Sequence, residues 1–141
     1  MKGLLQTGVN TVSMIDISGL TEQVKTNNNL ILITGTDNTI LEELSKAQKK
    51  LGLYAYIENG RLILTDVSGD KQKMKDCAII EATQNPWNPA GTAAGQNVLW
   101  IITSTNDAAV TNAVSILTTR FDDIKYSFAV ALTGTDIIKI P

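Results

Sequence analysis

The chain contains no histidine. That removes the usual general base near neutral pH, the Ser-His-Asp and Cys-His arrangements, and the commonest zinc ligand. Carboxylates are present, but Glu42 and Glu43 fall on a predicted helix and Asp122 and Asp123 in a predicted turn. None pairs with another at a spacing that builds a shared acid-base site. Asp66-Val67-Ser68-Gly69-Asp70 has the oxygen-rich look of a cation loop, yet it lacks the third and later ligands of an EF-hand, and solvated acids explain it more simply. Cys77 is the only cysteine, so no intramolecular disulfide can form; in the apolar run Cys77-Ala78-Ile79-Ile80 it reads as a small core residue. The residue types therefore assign no catalytic, cofactor-binding or metal-binding position and point away from an enzyme.

Two turns bear on ligand binding. Gly35, after an apolar strand and before a helix, stands where open α/β sheets hold anions on free N–H groups, and Ser104 occupies the equivalent place later in the chain. Neither turn is a dinucleotide fingerprint or a P-loop, because the further glycines and the Lys are missing. Helix capping by Thr36, Asp37 or Thr39 accounts for the same residues without a ligand. A small-ligand or anion-binding α/β module is thus the alternative to a structural role.

The most distinctive segment is Asn85-Pro86-Trp87-Asn88-Pro89-Ala90-Gly91-Thr92. Pro86 and Pro89 restrict the backbone on either side of Trp87 and stop both helix and interior strand. Trp87 then either covers the end of the domain's own core or forms a preorganised aromatic anchor for a neighbouring subunit.

These residues need elements to position them. The apolar runs Leu30 to Ile33 and Val98 to Ile102 read as central strands covered on both sides. A helix follows each. The first carries Ile40, Leu44, Ala47 and Leu51 on one face, with a Thr39/Glu42 capping box and Gly52 as C-terminal cap. The second runs from about Asn106 to Arg120 with Ala109, Ala113, Val114 and Leu117 inward. Asn29 to Asp37 and Asn97 to Asn106 resemble each other, with a fainter echo at Ala131 to Asp136; an ancestral duplication or the shared chemistry of ending a strand would each produce this. Between the units, Leu53 to Ile57 and Arg61 to Thr65 flank Asn59-Gly60, a type I′ hairpin signal, and a strand from about Cys77 to Thr83 follows the polar loop Asp66 to Asp76. Val12 to Ile17 and Ile137 to Ile140 alternate like half-exposed edge strands, which makes Ile138 and Ile140 candidate assembly residues alongside Pro86, Trp87 and Pro89.

The expected fold is a single α/β domain over residues 1–141: a mixed sheet covered by two main helices, with a β-hairpin insertion. A net charge of −2, a charged fraction of 18% and lysines gathered only at Lys46, Lys49 and Lys50 and at Lys71, Lys73 and Lys75 argue against nucleic acid as a partner. No apolar stretch approaches the roughly 20 residues of a membrane helix, and the start Met1-Lys2-Gly3-Leu4-Leu5 lacks the apolar length of a signal peptide. A soluble domain is expected. Thr, Asn and Ser supply the surface polarity instead of charge, so neighbouring copies can approach closely.

Asn85-Pro86-Trp87-Asn88-Pro89, a Gly/Ala spacer, then Val98 to Thr105 and a small-residue helix resembles a motif of archaeal surface-layer and related cell-surface proteins. The similarity covers roughly residues 79–118 and is specific in the five-residue loop. The turn Thr103-Ser104-Thr105 is poorer in glycine than that family's, the chain is short, and it holds no Asn-X-Ser/Thr sequon. A domain fragment, a small sheath or tube former and a viral structural protein all fit those departures. The resemblance implies a self-associating structural role outside the cell or at its surface, with copies of the chain as partners and no active site to carry over.

Overall fold

In the computed structural model, residues 12–88 and 97–140 are described. Two sheets form the frame. The larger has the order β1-β6-β5-β7-β8, built from β1 (Leu30–Gly35), β5 (Cys77–Gln84), β6 (Val98–Ser104), β7 (Ala129–Thr133) and β8 (Asp136–Ile140). The smaller has the order β2-β3-β4, from β2 (Ala55–Glu58), β3 (Arg61–Thr65) and β4 (Lys71–Lys73). β1 and β6 pair in parallel, with Leu30 beside Leu99, and every other pairing is antiparallel. Four α-helices join them among the described residues: α1 (Glu22–Asn27), α2 (Thr39–Lys46), α3 (Gln48–Leu51) and α4 (Asp107–Thr119). The mixed α/β architecture matches the expected fold class.

The alternation of side chains along the large sheet sorts the core into two layers. On one face Cys77, Ile79, Ala129, Ala131 and Ile140 pack under Ala55, Leu62 and Leu64 of the small sheet, while Leu99 and Ile101 pack under Leu41 and Leu44 of α2. On the other, Ala78, Ile80, Ile102, Val130 and Leu132 meet Ala113 and Ile116 of α4. The hairpin is therefore no appendage. With β4 it forms a sheet that covers half of one face.

Several local expectations change. β1 is an edge strand with an alternating burial pattern, since α4 packs on β5, β6 and β7 and leaves Ile31 and Ile33 uncovered. An apolar run is thus compatible with one wet face. β6, by contrast, is central as its composition predicts. The residues from Val12 form no strand: an extended approach ends in a 3-10 turn, Ile17–Gly19, capped by Asp16, whose Oδ1 accepts from Ser18 Oγ and the Gly19 N–H. Thr21 then caps α1, a helix too short for its periodicity to show in sequence.

The first long helix breaks at Ala47, whose N–H reaches the Leu44 carbonyl and leaves the α-helical path, so Leu41 replaces Ala47 in the buried set. Asn38, one residue ahead of the expected capping box, caps α2 by accepting from the Ile40 N–H. In α4 the buried face is Ala113 and Ile116, with Ile116 replacing Val114 at the centre. Gly52 takes the left-handed conformation of a C-terminal cap, and Asn59 and Gly60 both have positive φ, as a type I′ turn requires.

Candidate functional site

The Asn85-Pro86-Trp87-Asn88 segment is built into its own subunit. Asn85 is 1% exposed, and its Nδ2 donates to the carbonyls of Lys25 at 2.7 Å and Asn28 at 3.2 Å while its Oδ1 accepts from the Trp87 N–H. Asn88 Nδ2 donates to the Thr26 carbonyl. These contacts close the C-terminal end of α1, whose carbonyls have no helical partner. Trp87 packs beside the Leu41, Leu44 and Leu99 cluster, donates from Nε1 to Glu43 Oε1 at 3.2 Å, and lies under the Lys25 ammonium at 5.1 Å. The intramolecular packing that sequence offered as one of two roles for Trp87 is the arrangement found. Pro86 is half-buried beside it, and Pro89 lies outside the described residues.

The terminal strand divides in a similar way. β8 is an edge strand, as its alternation predicts, but its apolar side chains face inward: Ile140 is 4% exposed in the core under the small sheet and Ile138 packs against it. Only the backbone edge of β8, with Asp136 and Lys139 exposed, faces outward. Ile140 is therefore a core residue, and Ile138 is a partly buried one packed against that core.

The two strand-to-helix turns do come together, because β1 and β6 are parallel neighbours with Gly35 beside Ser104, and their helices leave to opposite faces. This is the topology at which open α/β sheets form a crevice. Here the polar groups are used internally. Asn38 Oδ1 takes an N–H of α2 and Asn106 Oδ1 takes the Ala109 N–H of α4. Ser104 Oγ donates to the Asn106 carbonyl, and Thr105 Oγ1 accepts from the Cys77 N–H. Asp37 and Asp107 add negative charge, which opposes an anion. At the suspected cation loop, Asp66 Oδ1 accepts from the N–H groups of Ser68 and Asp70 and so serves its own turn. An open groove of about 440 Å³ between α2, α3 and β2 is lined by Lys46, Lys49, Lys50 and Glu58. Its lysines are exposed, and the buried polar side chain in its lining, Ser45, is already used by the Leu41 carbonyl and the Ile57 N–H.

One buried acid escaped the sequence reading. Glu81 on β5 is 3% exposed; its Oε2 accepts from the N–H groups of Tyr54 at 3.1 Å and Ala55 at 3.2 Å, and its Oε1 has no partner among the described residues. Burial pushes its carboxyl up to about 8, against the pull of those two N–H groups. A charged residue between Ile80 and Ala82 in an apolar strand is the signal that would have found it. Cys77, 0% exposed, is pushed up to about 11, first by burial and then by Asp76. Among the described residues no three His, Cys, Asp or Glu side chains converge on a point that could hold a metal ion, and no helix is long and apolar enough to cross a membrane.

Among the described residues, large apolar side chains are exposed in the N-terminal segment (Met14, Ile15 and Ile17), at Val67, and at two places on the large sheet. Ile31 and Ile33 are about half exposed on β1. Phe121, Tyr126 and Phe128 are exposed in the connection from α4 into β7, where Phe128 stacks on Tyr54 at 5.9 Å and its N–H reaches the Ile140 carbonyl of β8. Comparison of the chain with protein-family models, curated proteins and solved structures finds no match.

Proposed function

We propose that the chain is a non-enzymatic structural protein that associates with copies of itself, in a layer, sheath, tube or filament at a cell surface. The observation that carries this reading is the pair of exposed apolar regions, Ile31 with Ile33 on β1 and Tyr126 with Phe128 beside β7 and β8. Apolar side chains left in water at both ends of one sheet cost solubility unless something covers them. The low charge of the surface lets copies approach, and the loop resembling surface-layer proteins supplies the setting. The anion-binding alternative has less support, since Asn38, Ser104 and Asn106 already satisfy the turns and two carboxylates stand beside them. Mass photometry and negative-stain imaging at rising concentration test the proposal. Ordered oligomers or polymers are expected, and a chain that stays monomeric up to millimolar concentration would overturn it.

A further inference from the structure

A sheet edge left open is a template for another strand, and proteins that keep an edge free blunt it with charge, proline, a bulge or a cover. Of the four sheet edges left unpaired among the described residues, three are blunted. On β2 the N–H groups of Ala55 and Ile57 are taken by Glu81 Oε2 and Ser45 Oγ. β4 carries exposed Lys71 and Lys73. β8 carries exposed Asp136 and Lys139. β1 differs from all three. Its sequence Leu30-Ile31-Leu32-Ile33-Thr34-Gly35 has no charge and no proline, among the described residues no side chain caps its N–H groups, and Ile31 and Ile33 are 48% and 51% exposed.

From this contrast we infer that β1 is a homodimer interface: the β1 edges of two copies pair antiparallel about a two-fold axis near Leu32, joining two five-stranded sheets into one of ten strands. The inference rests on the self-association proposed above and names its contact surface. A second copy is the partner of choice because the strand complements itself. In an antiparallel pair centred on Leu32, Ile31 of each copy stands opposite Ile33 of the other, on one face. Ile31 sits beside Trp100 and Ile33 beside Ile102, so the four isoleucines extend the apolar row that α4 covers only in part. No like charges meet, since Asp37 comes opposite Asn27. The isologous two-fold contact is also the commonest way for identical chains to associate.

The test uses the full chain and three readings: sedimentation across a concentration series, amide hydrogen exchange at both ends of that series, and the Ile31→Lys/Ile33→Lys variant. A pair of lysines on this face is expected to raise the dimer Kd by at least about tenfold. Both positions are half-exposed, so circular dichroism and the unfolding midpoint should stay near wild type; Ile31→Thr/Ile33→Thr, which keeps β-branched side chains, serves if they do not. The edge-facing amides within residues 30–35, those not bonded to β6, are expected to exchange slowly in the dimer and quickly on dilution. If the lysine variant associates as well as wild type, assembly runs through another surface and only this inference fails. If those amides stay protected in the dilute monomer, the chain's own residues cover the edge and the inference is again overturned. A wild-type chain that never associates removes both the inference and the function it rests on.

Discussion

Glu81 holds two backbone N–H groups at the start of β2 with a carboxyl that burial keeps hard to ionise. Its folded pKa of about 8 lies above the ordinary 4.5, so the folded state binds the proton more tightly than the unfolded chain. Stability should therefore be fullest below pH 4.5 and decline as pH rises through about 8. Denaturant midpoints measured from pH 5 to pH 9 are expected to fall, and Glu81→Gln, which keeps an oxygen for Tyr54 and Ala55, should flatten that slope. Asn85 works by geometry instead of charge. Asn85→Ala orphans the carbonyls of Lys25 and Asn28 and the N–H of Trp87, and a loss of about 2 kcal/mol or more is expected in chemical unfolding. Trp87→Ala should cost roughly 3 kcal/mol, the low end for a core tryptophan because this one is half-buried. Sequence marked both residues as unusual through the prolines around them. It left open whether the tryptophan faced its own core or a neighbour, since the partners in α1 and α2 lie about 40 to 60 positions away.

At the level of elements, local chemistry was legible and lateral neighbours were not. The Asn59-Gly60 turn, the Gly52 cap and the limits of α4 follow from short-range rules about φ and capping. The place of β1 at an edge depends on its pairing with β6 alone, and its wet face on how far α4 reaches across the sheet, neither of which any window of sequence contains. The same holds for β8, whose alternation revealed an edge but not that Ile138 and Ile140 fill the space under the small sheet. Removing Ile137 to Pro141 takes away a core Ile and a full strand pairing with β7. The truncated chain is expected to lose its cooperative thermal transition instead of merely losing association. Asn106→Ala, by removing the cap on α4, should cost about 1 kcal/mol in the same assay.

For the whole molecule, the proposed self-association gives two apolar regions of one sheet different tasks. A two-fold contact through β1 closes on itself and stops at a dimer. Growth beyond it needs the second region, around Tyr126 and Phe128. Tyr126→Ser/Phe128→Ser is accordingly expected to yield particles that stop at the mass of a dimer in mass photometry, where under the proposal wild type is expected to continue to larger species. The composition made self-association an expectation; the two regions emerge only when the chain is folded, because Ile31 and Phe128 are nearly a hundred residues apart.

The single thiol of the chain sits in the middle strand of the large sheet, shut from solvent and held in its unreactive protonated form. Nothing on the surface competes with it, as Cys77 is the only cysteine. The native protein thus contains its own unfolding clock: an alkylating reagent can modify Cys77 only in molecules whose central strand has opened. Under excess reagent the labelling rate reports how often the domain comes apart, without an engineered probe. If copies associate as proposed, the partner stabilises the folded state and labelling should slow as protein concentration rises, so one cysteine would read fold stability and association together.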